Sequence, residues 1–143
     1  MWIKRDFEDF LRGPLIGIAP IKVLKGPRQV GKTSLLTHLG RHRVITLDDF
    51  RIRERANEDP RQFLDHFNEP LLLDEAPLVP GLFHELKRRV DESRRLRREQ
   101  GTAPRIDVWM TGSNQTLLER SVQESLAGRA DYFDLNTLSI HEL

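Results

Sequence analysis

The sequence predicts an α/β fold in three layers, α/β/α, around a mostly parallel sheet of five strands. Short apolar runs alternate along the chain with longer segments of helical periodicity, which is typical of a parallel sheet covered on both faces. One run, PLLLDEA at 70–76, is continuously apolar until it ends in two acids, as expected of a strand buried on both faces. We expect a single domain, because the chain has 143 residues.

The elements of the N-terminal half follow from periodicity and from the positions of glycine and proline. Apolar residues at helical spacing predict a helix that ends at Gly13-Pro14, and residues 1–19 comprise this helix and its lead-in. Residues 20–143 form the α/β core. Its first elements are a strand at 20–26, a helix at 31–40, a strand at 43–49 and two short helices between Phe50 and Asn68, separated at Pro60.

The C-terminal half begins with the buried strand at 70–76. The longest helix runs from Gly81 to about Gln100, and its inward positions recur every fourth residue at Leu82, Leu86 and Val90. The strand IDVWMTG at 106–112 places Trp109 in the core. A helix that begins in NQTLLERS and a fifth strand at 130–135 complete the fold.

Composition excludes several classes of function. The net charge is +1, so composition alone indicates no nucleic-acid or membrane partner. There is no cysteine for disulfides or thiolate metal ligands, and the five histidines are scattered. The charged N-terminus does not resemble a signal peptide, and the apolar runs are too short to span a bilayer. We therefore expect a cytoplasmic protein.

The stretch GPRQVGKTS at 26–34 has the spacing of a phosphate-binding loop, between a predicted strand and a predicted helix. Its glycines let the backbone approach a phosphate, and the peptide N–H groups and the helix N-terminus attract the negative charge. Lys32 would reach the β- and γ-phosphates, Thr33 would ligate Mg²⁺, and Ser34 would bond the α-phosphate. We expect the whole loop to bind nucleotide: Gly26, Pro27, Arg28, Gln29, Val30, Gly31, Lys32, Thr33 and Ser34.

Hydrolysis also requires a metal-binding acid and a group that positions water. Asp74 stands at the carboxyl end of a buried strand, where α/β sheets bind ligands, and would hold Mg²⁺ mostly through water. Glu75 follows directly and would polarise the attacking water. The alternative is that both acids only cap the next turn.

With these motifs the chain resembles the predicted AAA+ P-loop ATPases of bacteria and archaea whose core is often followed by a domain of unknown function. The resemblance extends from about residue 20 to the end. It rests on the order and spacing of KGPRQVGKTSLL, ITLDD, EDPRQFL, LLLDEAPLVPGLFHELKRRVD, VWMTGSN and ESLAGRADYFDLNTLSIHEL. It implies that Lys32 and Thr33 are Walker A residues and that Asp74 and Glu75 are the Walker B pair. The cofactors it implies are ATP and Mg²⁺.

The resemblance also implies two further site residues. TGSN would end a strand that lies between the Walker A and Walker B strands, so that Ser113, with Asn114 as the neighbouring choice, reads the γ-phosphate as sensor 1. Arg129 would be an arginine finger that acts on the nucleotide of a neighbouring subunit, which implies a homo-oligomer. The alternative is a surface arginine at the start of a strand.

Relatives continue beyond the position of Leu143 into a helical lid that carries a sensor-2 arginine. We therefore expect this chain to be a truncated form of a longer protein and to hydrolyse ATP slowly. Where relatives commonly have glutamine, this chain has Pro77 or its neighbour Ala76. Any role of that glutamine does not carry over.

Three functions are compatible with these features. The leading hypothesis is a Mg²⁺-dependent ATPase domain that couples nucleotide state to conformational change in an unknown protein or nucleic-acid client. The second is an ATP-binding switch with negligible hydrolysis. The third is a nucleic-acid-binding protein regulated by ATP, which would use the basic residues at 87–98, although the acids interleaved there are typical of a solvated helix.

Overall fold

The sheet of this computed structural model, which describes residues 19–25, 42–67 and 70–134, is parallel at every described strand pair. Its strands are β1 Ile21–Lys25, β2 Arg43–Thr46, β3 Leu71–Asp74, β4 Val108–Thr111 and β5 Ala130–Asp134. They lie in the order β2-β3-β4-β1-β5. The predicted fold class, with its mostly parallel five-stranded sheet, is confirmed.

Four helices and one short turn connect the described strands. The helices are α1 Phe50–Glu58, α2 Pro60–Asp65, α3 Pro80–Gln100 and α4 Gln115–Leu126, and a 3₁₀ turn spans Ala76–Leu78. They agree with the expected helices, including the break at Pro60. The helices predicted within 1–19 and at 31–40 lie outside the described residues, and the division of the chain at residue 20 stays a prediction.

Polar side chains set the starts of three helices. Asp49 caps α1 by accepting hydrogen bonds from the backbone N–H groups of Arg51 and Ile52, and β2 ends at Thr46, three residues sooner than expected. Asp59 caps α2 by accepting from the N–H of Gln62 at 3.0 Å. Asn114 caps α4.

One face of the sheet packs against the described helices. Val23, Ile45, Leu73 and Met110 occupy successive strands on this face and are buried in one apolar cluster. The helices contribute the residues expected from their periodicity: Leu82, Leu86 and Val90 from α3, and Leu118, Val122 and Leu126 from α4. This burial holds the helices against the sheet, since each apolar side chain removed from water contributes roughly 1.5–3 kcal/mol.

The opposite face of the sheet is also apolar at its centre. Leu24, Leu72 and Trp109 are fully buried, so the prediction that Trp109 belongs to the core is confirmed. Toward the start of the strands this face carries a buried polar cluster. Lys22 Nζ lies 3.0 Å from Asp107 Oδ1, and His42 Nε2 lies 3.5 Å from the same oxygen.

The side chains of this cluster are nearly removed from water. The side chains of Lys22, Asp107 and His42 are 3%, 8% and 1% exposed. Burial by itself would raise the pKa of Asp107, but the neighbouring His42 and the Lys22 ammonium hold that pKa well below its ordinary value. The cluster ties the beginning of β1 to the chain segments that precede β2 and β4.

Candidate functional site

Asp74 lies at the carboxyl end of β3, in one row with the last residues of the two adjacent strands. The register aligns Thr46 with Asp74 and Asp74 with Thr111. Thr111 Oγ1 donates to Asp74 Oδ1 at 2.6 Å, and Thr46 Oγ1 donates to Asp74 Oδ2 at 3.3 Å. The two hydroxyls therefore fix the plane of the carboxylate from opposite sides.

Glu75 leaves the strand in a left-handed backbone conformation, with φ 58° and ψ 40°. Among the residues that the structure describes, it is the only one other than glycine with positive φ. Its side chain makes no capping hydrogen bond to the 3₁₀ turn that follows, contrary to the alternative in which it only caps that turn. From this backbone conformation, the carboxylate lies against Ser113, after the end of β4.

Ser113 contacts Glu75 where the two residues follow the carboxyl ends of the adjacent strands β4 and β3. Ser113 Oγ donates to Glu75 Oε2 at 2.7 Å, and the Ser113 N–H lies 3.3 Å from each carboxylate oxygen. The strand before Ser113, β4, pairs with both β1 and β3, as the resemblance implied. Asn114, the neighbouring choice for sensor 1, uses its side chain to accept from the Leu117 N–H at 3.0 Å. Ser113 is therefore the residue that the structure brings to Glu75.

The predicted loop at 26–34 lies outside the described residues, so the roles of Lys32 and Thr33 stay predictions. The strand that leads into it, β1, ends at Lys25, whose Nζ lies 3.2 Å from Glu119 of α4. β1 and β3 both border β4, and their carboxyl ends lie along the same edge because the strands are parallel. Lys25, directly before the predicted loop, therefore lies at the end of the sheet that carries Asp74 and Glu75.

The metal-binding expectation rests on Asp74 and Thr33. The described ranges contain no group of three histidine or acidic side chains that could hold a metal ion by themselves. A half-buried carboxylate at the edge of the sheet suits Mg²⁺, which keeps most of its waters and takes only one or two protein ligands beside phosphate oxygens. Asp74 fits such a site, and it keeps accepting positions beyond those used by the two threonines.

Arg129 lies directly before β5, at the amino ends of the strands, whereas Asp74 and Glu75 lie at their carboxyl ends. Its backbone oxygen accepts from the N–H of Ile21 at the start of β1, so the structure does not bring Arg129 to Asp74 and Glu75 of the same chain. Its guanidinium forms a bidentate pair with Asp91 of α3, at 2.7 and 3.2 Å. The hydrogen bond from Arg129 holds the pKa of Asp91 below its usual range.

Three arginines of the basic run on α3, Arg88, Arg89 and Arg95, pair with acids of the same chain. Glu85 accepts from Arg88 and Arg89, and Arg95 pairs with Glu92 and Glu99. Arg94 donates to the backbone oxygen of Gly128 at 3.1 Å. These contacts agree with the solvated helix that the interleaved acids predicted.

Sequence reasoning missed Thr46 and Thr111. Both stand at the ends of strands that were expected, and a polar residue closing an apolar strand is a signal that could have drawn attention to them. Their contact with Asp74 depends on strand order and register, however, which the sequence does not display.

The sheet order and the acids at the end of β3 define an α/β domain of the P-loop NTPase type. The sequence matches the AAA domain family over residues 19–143, and the chain belongs to this family. Two uncharacterized proteins, from Mycobacterium tuberculosis and Mycobacterium bovis, are each 30% identical over 127 residues. These matches cover 87% of this chain and 27% of each relative, so the chain spans about a quarter of their length. Within the described residues, no helix is long and apolar enough to cross a membrane.

Proposed function

We propose that this domain is a cytoplasmic Mg²⁺-dependent ATPase that couples ATP binding and hydrolysis to conformational change in a protein or nucleic-acid client. The observation that carries the proposal is that Asp74 and Glu75, the latter in contact with Ser113, lie at the same end of the parallel sheet as Lys25, the residue directly before the phosphate-binding motif. Membership of the AAA domain family supports nucleotide binding by this domain.

Each residue has a chemical role in this proposal. The loop at 26–34 surrounds the phosphates with backbone N–H groups, and Lys32 neutralises the charge of the β- and γ-phosphates. Thr33 and Asp74 hold Mg²⁺, which would screen the phosphate charge. Glu75 accepts a proton from the attacking water, and Ser113 lies beside it where it would contact the γ-phosphate.

Arg129 serves a different nucleotide in this proposal. It lies at the amino ends of the strands, away from Asp74 and Glu75 of its own chain. It therefore acts on the ATP bound to a second copy of the chain, where its charge stabilises the transition state. To do so the guanidinium leaves Asp91 and forms new hydrogen bonds with phosphate oxygens. The proposal therefore requires a homo-oligomer.

One observation favours a second candidate, an ATP-binding switch with negligible hydrolysis. The Glu75 carboxylate already accepts hydrogen bonds from the Ser113 hydroxyl and N–H. While these bonds persist, the carboxylate is directed at Ser113 and not at a water molecule beside the nucleotide. If nucleotide binding does not break these bonds, the domain binds ATP without turning it over.

Calorimetry and phosphate release test the proposal together. Titration with ATP and Mg²⁺ should show binding that Lys32→Ala abolishes, whereas Lys87→Ala, which removes the same charge from an exposed position on α3, should bind like the parent. Glu75→Gln should keep ATP bound and stop phosphate release. Binding by Lys32→Ala at the parental affinity would refute the site. Equal phosphate release by parent and Glu75→Gln would remove Glu75 as the base.

A further inference from the structure

The carboxylate of Asp74 is held between two hydroxyl groups, those of Thr46 and Thr111, to which the sequence motifs assign no role. Thr111 is fully buried, and its hydroxyl approaches Asp74 Oδ1 to 2.6 Å, the short distance of a charge-assisted hydrogen bond. Thr46 reaches the other oxygen at 3.3 Å. Since each threonine takes one oxygen, rotation of the carboxylate about its Cβ–Cγ bond would break both contacts.

The direction of the Thr46 hydrogen bond is set by a third group. The backbone N–H of Asp48 donates to Thr46 Oγ1 at 3.3 Å, which uses an accepting position of that hydroxyl. The single hydroxyl proton of Thr46 is then directed to Asp74, because an ionised carboxylate only accepts. Thr111 donates its proton to Asp74 in the same way.

We propose that Thr46 and Thr111 are positioning residues that hold the Asp74 carboxylate in the orientation required for Mg²⁺ delivered with a nucleotide, and that Thr111 contributes more. This inference rests on the proposed function. Hydrogen bonds to a metal-binding carboxylate fix the direction of its remaining lone pairs, and loss of such partners typically lowers metal affinity about 10–100-fold. The shorter contact of Thr111 predicts the larger effect.

The test is the affinity for ADP measured by calorimetry with Mg²⁺ and again with EDTA, and its readout is the ratio of the two dissociation constants. Thr111→Val keeps the shape of the side chain and removes the hydroxyl, so it should reduce this ratio about tenfold or more. Thr46→Val should reduce it less. Thr111→Ser keeps the hydroxyl and should retain the parental ratio, and the affinity in EDTA should be the same in all variants.

The outcomes separate this inference from the function on which it rests. If the parent binds ADP more tightly with Mg²⁺ and Thr111→Val retains that ratio, the positioning role is wrong and the nucleotide site stands. If the parent binds no ADP in either buffer, both are wrong. Should Thr111→Val fail to fold, Thr46→Val at its half-buried position provides the test, and an unchanged ratio there overturns the inference.

Discussion

Ser113 Oγ donates a 2.7 Å hydrogen bond to Glu75 Oε2, and this contact joins the ends of β4 and β3. It links the residue expected to sense the nucleotide to the residue expected to activate water. Glu75 reaches Ser113 from a left-handed backbone conformation that is unfavourable for any residue with a Cβ. Energy is therefore stored at the point where the proposed chemistry takes place.

Removing the Ser113 hydroxyl should separate turnover from binding. Ser113→Ala removes the hydroxyl proposed to contact the γ-phosphate, so we expect phosphate release to fall about tenfold, a modest part of the 10²–10⁴ that a general base supplies. The affinity for ADP should not change, because ADP has no γ-phosphate. Ser113→Thr keeps the hydroxyl and should retain activity. Full phosphate release by Ser113→Ala would show that the contact does not serve catalysis.

Because of the backbone strain at Glu75, we expect glycine at this position to give a more stable protein than alanine, which reverses the usual order within a helix. Glu75→Gly should be more stable than Glu75→Ala by about 1 kcal/mol, because only glycine adopts the left-handed conformation at little cost. Urea unfolding without nucleotide measures the difference. The matched pair is Glu124→Gly and Glu124→Ala at an exposed position within α4, where alanine should be the more stable. The ordinary order at both positions would contradict the strain.

Local sequence patterns were enough to predict the strands, the helices and the two acids of this site. Each strand is an apolar run, and Asp74 and Glu75 stand at the end of one of them. Since parallel α/β sheets bind ligands at the carboxyl ends of their strands, the sequence was enough to predict the position of both acids. The partners of these acids were not predictable in the same way. Thr46 and Thr111 meet Asp74 through register, and Asp91 meets Arg129 across 38 residues of sequence. Such contacts depend on packing, which no local pattern records.

The Asp91–Arg129 pair gives a test of the proposed arginine finger. Arg129→Ala should lower phosphate release only at protein concentrations at which the chain self-associates. Asp91→Asn breaks the same pair but leaves the guanidinium in place, so it should release phosphate at least as fast as the parent. Both partners are partly exposed, and either change should alter the free energy of unfolding by less than about 1 kcal/mol. Equal loss of activity in the two variants would identify the pair as structural only.

The buried cluster around Asp107 predicts how stability depends on pH. Because the folded-state pKa of Asp107 is held below its ordinary value of about 3.9, the unfolded chain binds the proton more readily. The stability contributed by this carboxylate is therefore fully present above about pH 4 and is lost as the pH falls below that value.

Asp107→Asn isolates this contribution. It should lower the free energy of unfolding at pH 7 by about 3–5 kcal/mol, because the buried Lys22 ammonium loses the carboxylate that lies 3.0 Å away. It should also weaken the loss of stability below pH 4, since the titrating group has been removed. Urea unfolding between pH 7 and pH 3 measures both effects. Glu124→Gln removes a charge from an exposed position and should follow the parent throughout. If Asp107→Asn loses stability with the same pH profile as the parent, the carboxylate of Asp107 is not the group that titrates.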